Sequence, residues 1–170
     1  MKPSQARTVG RDYRRGISPA KRAYFNARIQ THIQRLSGRI ASYWALPEEA
    51  DPGRRAGDYL PVIDGASLVF KAYLCDTQCE LGALNIPVPM AGETLKAEDM
   101  DWVLVPLTAY DLTGMRVGMG GGFYDQTLDR VPRHRRIGVA YPGQCVSRIW
   151  AADWDLPLGG VITPAGLRRF

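Results

Sequence analysis

A glycine-rich stretch that follows a short apolar run constrains this sequence most strongly. The run 102–105, between Asp101 and Pro106, predicts a buried strand. Beyond a polar turn, the glycines are Gly118, Gly120, Gly121 and Gly122. Glycines at this density let backbone N–H groups approach a ligand closely, because no Cβ intervenes. The pattern favours a phosphate-binding loop, with a tight turn that binds nothing as the alternative.

A helix is predicted to begin directly after the loop, at Phe123. Its free N–H groups and the positive end of its dipole would face the same anion. Asp125 lies in its first turn, where a carboxylate either caps the helix or holds a Mg²⁺ that bridges to phosphate. The loop is not a Walker A motif, because no Gly-Lys-Ser/Thr follows. It is not the dinucleotide fingerprint either, because Phe123 stands where the last glycine would be.

The string from Val105 to Asp125 resembles the signature of the 5-formyltetrahydrofolate cyclo-ligases, also called methenyltetrahydrofolate synthetases. That signature is a strand ending in Val-Pro, then Phe-Asp, Gly-x-Arg-Leu-Gly and Gly-Gly-Gly-Tyr-Tyr-Asp. The resemblance runs in order through roughly residues 7–163 and is strongest over 101–125. It implies an α/β, single-domain, three-layer Rossmann-like fold with a mainly parallel sheet, comprising residues 1–170.

The resemblance also implies a reaction and a set of site residues. In the reaction, ATP and Mg²⁺ convert 5-formyltetrahydrofolate to 5,10-methenyltetrahydrofolate, with ADP and phosphate as products. By the resemblance, Arg116 and Tyr124 are catalytic residues, and Asp125 and Asp155 are the Mg²⁺ ligands. The implied ATP-binding residues are Arg7, Arg14, Arg116, Gly118, Gly120, Gly121, Gly122, Phe123 and Tyr124. The implied substrate-binding residues are Trp44, Glu49, Met119, Gly120, Gly121, Gly122 and Phe123.

Two helices are predicted at the N-terminal end. The first covers about residues 4–15 and would gather four arginines, Arg7, Arg11, Arg14 and Arg15, on one side. In the family such a helix supplies basic residues to the ATP phosphates, and a solvated basic terminus is the alternative. The second helix begins at Ser18-Pro19 and runs to about Leu36, with one apolar face buried against a sheet.

The first strand is predicted over residues 40–45. After it, Glu49 and Asp51 match a Glu-x-Asp whose Glu contacts folate near the formyl group in the family, and a carboxylate suits the N–H groups of a reduced pterin. A plain soluble loop is the alternative. The family then has an amphipathic helix, for which residues 52–59 are too short. Either the crossover is a tight loop, or the first two strands pair differently.

The other predicted elements are two strands, 59–63 and 68–73, joined by a tight turn at Asp64-Gly65, and a buried strand over 137–141. Gln144 and the segment 153–158 resemble the closing part of the family pattern, in which Asp155 occupies the position of a metal ligand. Residues 161–163 then end the sheet.

Composition limits the alternatives. The chain has 170 residues, 45% hydrophobic content and a net charge of +5, which suits an enzyme for anionic small molecules. Nucleic acid is not expected as a partner, because aromatic residues are not interleaved with the basic ones.

The cysteines and the lack of targeting segments predict the cellular location. The chain has three cysteines and no recognisable secretory signal or membrane span, so we expect a cytoplasmic protein with reduced thiols and no zinc site. We expect a monomer. A folate- or nucleotide-binding protein with little or no turnover, and a basic RNA-associated protein, stay open as alternatives.

Overall fold

The computed structural model describes residues 1–74, 76–150, 152 and 155–170. Cys75, and Asp153 with Trp154 of the predicted closing segment, therefore lie outside the described residues. The helices are α1 (Pro3–Arg15), α2 (Pro19–Ile33) and α3 (Phe123–Leu128). Short 3-10 segments are Ala83–Asn85, Ala97–Asp99, Arg133–Arg135 and Pro142–Gln144. No helix among these residues is long and apolar enough to span a bilayer.

The strands are β1 (Ile40–Ala41), β2 (Tyr59–Asp64), β3 (Ser67–Ala72), β4 (Cys79–Leu81), β5 (Pro87–Pro89), β6 (Thr94–Leu95), β7 (Trp102–Pro106), β8 (Ala109–Tyr110), β9 (Arg116–Val117), β10 (Arg136–Val139), β11 (Gly160–Thr163) and β12 (Gly166–Arg169). Eight of them form one sheet in the order β12-β11-β10-β7-β1-β2-β3-β6. Strands β11, β10, β7, β1 and β2 are mutually parallel, and β12, β3 and β6 are antiparallel to their neighbours. The pairs β4-β5 and β8-β9 are separate hairpins.

The sheet is covered on both faces, because its central strands alternate their side chains between two apolar clusters. Leu104 of β7 packs with Ile29 and Ile33 of α2 on one face. Val103 and Val105 of the same strand pack with Leu128 of α3 on the other. The Rossmann-like α/β fold with a mainly parallel sheet is therefore confirmed.

The predicted first strand is wrong in length, because only Ile40 and Ala41 belong to the sheet. Of the predicted residues 40–45, only those of β1 pair with neighbouring strands. The chain then forms a loop in which the Tyr43 hydroxyl donates to the Ala50 carbonyl. Strands β1 and β2 are parallel, with Ala41 opposite Tyr59. The crossover between them is the tight loop of the first alternative. It is held by hydrogen bonds of the Arg55 guanidinium and backbone N–H to the buried Asp58 carboxylate.

Other element boundaries also differ from the prediction, and the strand predicted over 137–141 is β10, which ends at Val139. Helix α2 ends at Ile33 instead of Leu36, because the chain tightens there: the N–H of Leu36 donates to the Ile33 carbonyl, an i to i+3 bond. The sheet does not end at β11, since a turn through Gly166 (φ 125°) returns the chain as the antiparallel edge strand β12. The hairpin β2–β3, strand β7 and helix α3 are confirmed.

Candidate functional site

The predicted site residues gather at the carboxyl ends of the parallel strands, where open α/β sheets bind ligands. Thr108 follows β7, the loop 42–51 follows β1, and Gln144 follows β10. The Gln144 side-chain amide donates to the carbonyls of Leu107 and Thr108, both at 2.9 Å. This buried glutamine therefore fixes the end of β7 against the segment that follows β10.

Helix α1 lies close against this edge of the sheet. Its buried residues Ala6, Gly10 and Arg14 are four apart and form one stripe. A Cβ built on Gly10 would overlap the Thr108 carbonyl, lying 2.8 Å from its carbon, so only glycine permits the approach. The four arginines of this helix differ in burial, since Arg14 is 2% exposed whereas the Arg15 side chain is 65% exposed.

The glycine loop receives one of these arginines. The Arg7 Nε donates to the Gly118 carbonyl at 2.8 Å. Gly120 and Gly122 have φ values of 103° and 72°, which side-chain-bearing residues rarely adopt. A Cβ built on Gly118, Gly120 or Gly122 meets no described atom within 4 Å, so the space beside the loop is open. The loop can therefore accept a ligand along its backbone.

Arg116 bonds one predicted metal ligand, Asp125, and the residue that follows the other. Its Nη2 donates to Asp125 Oδ1 at 2.6 Å, and its Nη1 donates to the Leu156 carbonyl at 2.7 Å. The Arg116 side chain is 6% exposed, whereas that of Asp125 is 47% exposed. Arg116 therefore pairs with a carboxylate in the structure and fixes α3 to the residue after Asp155.

Asp125 and Asp155 fit a weakly protein-bound Mg²⁺. Asp155 Oδ2 accepts from the Ala152 N–H at 2.8 Å and Asp125 uses Oδ1, so Asp155 Oδ1 and Asp125 Oδ2 have no protein partner among the described residues. In that part of the chain, no group of three or more His, Cys, Asp or Glu side chains is placed to hold a metal. Mg²⁺ is commonly held by one or two carboxylates, with phosphate oxygens and waters as its other ligands.

A buried polar cluster lies beside the glycine loop. Arg14 is 2% exposed and its Nη2 contacts Met119 Sδ at 3.8 Å, while the Thr108 hydroxyl contacts the same sulfur at 3.7 Å. Met119 itself is 52% exposed. Arg14 Nε and Nη1 and the Tyr124 hydroxyl are buried, without any hydrogen-bond partner among the described residues. Such groups are rare in proteins and call for a physical explanation.

Glu49 faces this cluster from the loop after β1. It is 9% exposed, and its Oε2 accepts the Leu46 N–H at 3.0 Å. Burial raises the pKa of Glu49, against the opposing effects of the Leu46 hydrogen bond and of Arg14. Burial likewise lowers the pKa of Arg14 and raises that of Tyr124. Burial thus disfavours the charged form of each of these three side chains.

Helix α2 positions this loop through residues that the sequence analysis missed. The Arg22 guanidinium donates to the Arg14 carbonyl with one nitrogen and to the Glu48 carbonyl, at 2.9 Å, with another. The Tyr141 hydroxyl contacts the Glu49 carbonyl at 3.0 Å and Asn26 Oδ1 at 2.8 Å. No spacing or motif marks these residues, because their roles arise only when α2 packs beside the loop.

Trp44, the predicted wall of the substrate site, lies in the same crossover. The Arg54 guanidinium stacks over its ring at 4.2 Å from the centroid, and Tyr73 meets it edge-on at 6.4 Å. The indole of Trp44 therefore packs against the Arg54 cation on its face and against the perpendicular ring of Tyr73.

These features together define a class. A parallel α/β sheet with an open glycine loop and a buried polar cluster at its carboxyl edge belongs to the open α/β proteins that bind small ligands at that edge. Within this class, the chain belongs to the 5-formyltetrahydrofolate cyclo-ligase family, whose model matches residues 58–164. The resemblance stated from the sequence is thereby confirmed.

Relatives extend the match over the whole chain. The 5-formyltetrahydrofolate cyclo-ligase of Escherichia coli K12 is 35% identical over 120 residues, covering 65% of this chain and 66% of that protein. That of Haemophilus influenzae is 29% identical over 182 aligned positions, covering 95% and 97%. The NMR structure of Aquifex aeolicus 5,10-methenyltetrahydrofolate synthetase superposes with a TM-score of 0.85 at 28% identity, covering 98% of this chain and 92% of that one.

Proposed function

We propose that this chain converts 5-formyltetrahydrofolate to 5,10-methenyltetrahydrofolate in an ATP- and Mg²⁺-dependent reaction that releases ADP and phosphate. The observation that carries the proposal is the contact between Met119, in the glycine loop, and Arg14, which lies beside Glu49. This contact supports a phosphate subsite that lies next to a buried donor–acceptor subsite. A folate that must be phosphorylated needs both.

The chemistry accounts for the parts of the cleft. The formyl oxygen is a poor leaving group and must first be phosphorylated. It attacks the γ-phosphorus of ATP, and the bond between that phosphorus and ADP breaks. N10 then attacks the activated carbon and gives up its proton to solvent, and breakage of the bond from carbon to the phosphate oxygen leaves the cyclic methenyl cation. Phosphoryl transfer of this kind asks a protein for positioning and charge neutralisation, and no protein nucleophile is required.

The ATP side of the cleft is formed by the loop and the residues around it. The backbone N–H groups of Gly118, Gly120, Gly121 and Gly122 bind phosphate oxygens, and Arg7 and Arg116 neutralise their charge. Asp125 and Asp155 would hold Mg²⁺, which would supply positive charge that offsets the charge of the phosphates. Phe123 and Tyr124 border both ligands at the start of α3.

The folate side is formed by the buried cluster and the crossover. Glu49 accepts hydrogen bonds from N–H groups of the reduced pterin, and Trp44 and Met119 supply apolar surface. A cytoplasmic location and a monomeric state stay predictions from the sequence.

The test is the absorbance of the methenyl product after the purified protein is mixed with 5-formyltetrahydrofolate and Mg²⁺, with and without ATP. We expect an ATP-dependent rise. We expect Asp125→Asn to lower kcat/KM by about 10²-fold or more, as when a group that stabilises transition-state charge is removed. The matched control is Asp129→Asn, four residues on and exposed, which should react like the wild type.

The outcomes separate the alternatives. A folded protein that binds 5-formyltetrahydrofolate and ATP, yet gives no rise, would be a binding protein of this fold without turnover. Equal activity of Asp125→Asn and the wild type would show that Asp125 takes no part in the reaction.

A further inference from the structure

Arg14 is the least satisfied charged group in the described part of the chain. Its side chain is 98% buried, yet Nε and Nη1 have no hydrogen-bond partner there, and Nη2 contacts only the weakly accepting sulfur of Met119. An enclosed guanidinium without acceptors is costly and persists where a ligand supplies them. The donors therefore indicate a binding position for an acceptor atom.

The groups around Arg14 show which kind of acceptor fits. Arg22 bridges the Arg14 and Glu48 carbonyls with a single guanidinium, so the end of α1 and the loop bearing Glu49 are adjacent. Even so, Arg14 and Glu49, both described in full, form no ion pair within 4.0 Å. A buried cation and a buried carboxylate thus lie near each other without forming an ion pair, and the Tyr124 hydroxyl, which has no partner among the described residues, is buried near Glu49.

This arrangement is poorly suited to phosphate. Glu49 and Glu48 would repel a phosphate group placed beside Arg14. Arg7 bonds the backbone of the open glycine loop, whereas Arg14 contacts only the Met119 sulfur there. Arg7 and Arg14 are seven residues apart, which is about 10 Å along α1. A neutral ring that carries carbonyl oxygens next to N–H groups is complementary to a guanidinium beside a carboxylate.

We infer that Arg14 is a substrate-binding residue on the folate side of the cleft, whose Nε and Nη1 donate to a carbonyl-type oxygen of the reduced pterin while Glu49 accepts from a neighbouring N–H. The inference rests on the proposed function. It departs from the expectation that Arg14 contacts the ATP phosphates. Under that expectation, substitution of Arg14 would weaken binding of ATP and leave binding of the folate unchanged.

The experiment measures the Kd of 5-formyltetrahydrofolate and, separately, that of a non-hydrolysable ATP analogue with Mg²⁺, by calorimetry on the full chain. Arg14→Met removes the charge and keeps the side-chain bulk. We expect its Kd for 5-formyltetrahydrofolate to rise about tenfold or more, as when a charge-assisted hydrogen bond is lost. We expect the Kd for the ATP analogue to stay within about twofold of the wild type, because Arg7 and the loop are untouched.

A thermal measurement excludes a merely structural role. Because Arg14→Met removes a buried and unpaired charge, the ligand-free variant should melt at or above the wild-type Tm, while the increase in Tm caused by 5-formyltetrahydrofolate shrinks. Arg14→Lys keeps the charge but lacks the planar set of N–H donors of a guanidinium, so it should bind the folate more weakly and the ATP analogue as the wild type does. It provides the same comparison if Arg14→Met does not fold. The control Arg15→Met changes the adjacent exposed arginine and should match the wild type in both affinities.

Two results would overturn the inference. Weaker binding of the ATP analogue with unchanged folate affinity would place Arg14 at the phosphates. A lower Tm with both affinities unchanged would make it structural. The binding and turnover assays are independent, so the two claims can fail separately. If the wild type turns over substrate and Arg14→Met keeps the wild-type folate affinity, only this inference is refuted. A wild type that binds folate without turnover refutes the proposed reaction alone.

Discussion

Replacing Gly10 by alanine tests whether helix α1 docks against the sheet edge as closely as the structure shows. The added Cβ would lie 2.8 Å from the Thr108 carbonyl carbon and 3.3 Å from the Ala109 Cβ. Carbon atoms in packed interiors are separated by about 3.5–4.0 Å, so one side must retreat by about 1 Å. The Thr108 carbonyl is held by the Gln144 side chain, and therefore α1 has to move.

The expected loss of stability follows from two opposing contributions. Overpacking against fixed backbone costs about 3 kcal/mol, at the upper end of the usual range. Alanine in a helix interior is favoured over glycine by about 1 kcal/mol, which leaves a net loss of about 2 kcal/mol. The displacement also moves Arg7 and Arg14, and misplacement by about 1 Å lowers kcat/KM by about 10²-fold.

Urea unfolding gives the free energy of unfolding, and the methenyl absorbance assay gives kcat/KM at a temperature where the variant is folded. The control is Gly16→Ala at the end of the same helix, where φ is −75° and the nearest atom to a new Cβ is 3.5 Å away. It should change stability by less than about 0.5 kcal/mol. A Gly10→Ala protein with wild-type stability and activity would refute the close docking of α1.

Three further changes test other parts of the site. Although burial opposes ionisation, hydrogen bonds from Thr113, Ile149 and Met115 hold the pKa of Asp111 below its ordinary value. Asp111 therefore stabilises the fold above its unfolded-state pKa and loses that contribution as pH falls through the folded value. Asp111→Asn should cost about 2 kcal/mol near neutral pH in urea unfolding and much less in acid, whereas an equal loss at both would contradict the pKa argument. Burial raises the pKa of Glu49, so kcat/KM for 5-formyltetrahydrofolate should rise with pH through that raised value, and Glu49→Gln should abolish this limb of the pH–rate profile; an unchanged limb would assign it to another group. Thr127→Val removes the hydroxyl that accepts the Leu68 N–H at 2.8 Å, and should lower the free energy of unfolding by about 1–3 kcal/mol while Thr127→Ser does not.

Elements with strong local signals were predicted well. Ser18-Pro19 begins α2 because the serine hydroxyl accepts the Lys21 N–H and proline suits the first helical turn. Asp64-Gly65 closes the β2–β3 hairpin, with Gly65 at a φ of 60°. The apolar run of β7 and the helix after the glycine loop likewise follow from periodicity and glycine placement.

The remainder depends on contacts that no local pattern encodes. The edge strand β12 has exposed arginines at positions typical of a solvated tail, and becomes a strand only because β11 offers an unpaired edge. Arg14 is buried because Gly10 lets α1 approach Thr108, an effect of two residues far apart in the chain. The pairing of Arg116 with Asp125 likewise requires β9 and α3 to be folded first.

In the hydrogen-bond ladder of the sheet, the two-residue strand β1 is the shortest link between two better-paired units. On one side β7, β10, β11 and β12 pair over three or four residues each. On the other side β2 and β3 form a six-residue hairpin, in which the Leu68 N–H donates to Thr127 of α3. Between them β1 contributes only Ile40 and Ala41 to the ladder. Local unfolding follows the weakest cooperative boundary, which here runs through the cleft. Ligands that bind α1 and the α3 loop together therefore join the two units, and make the whole chain unfold more cooperatively.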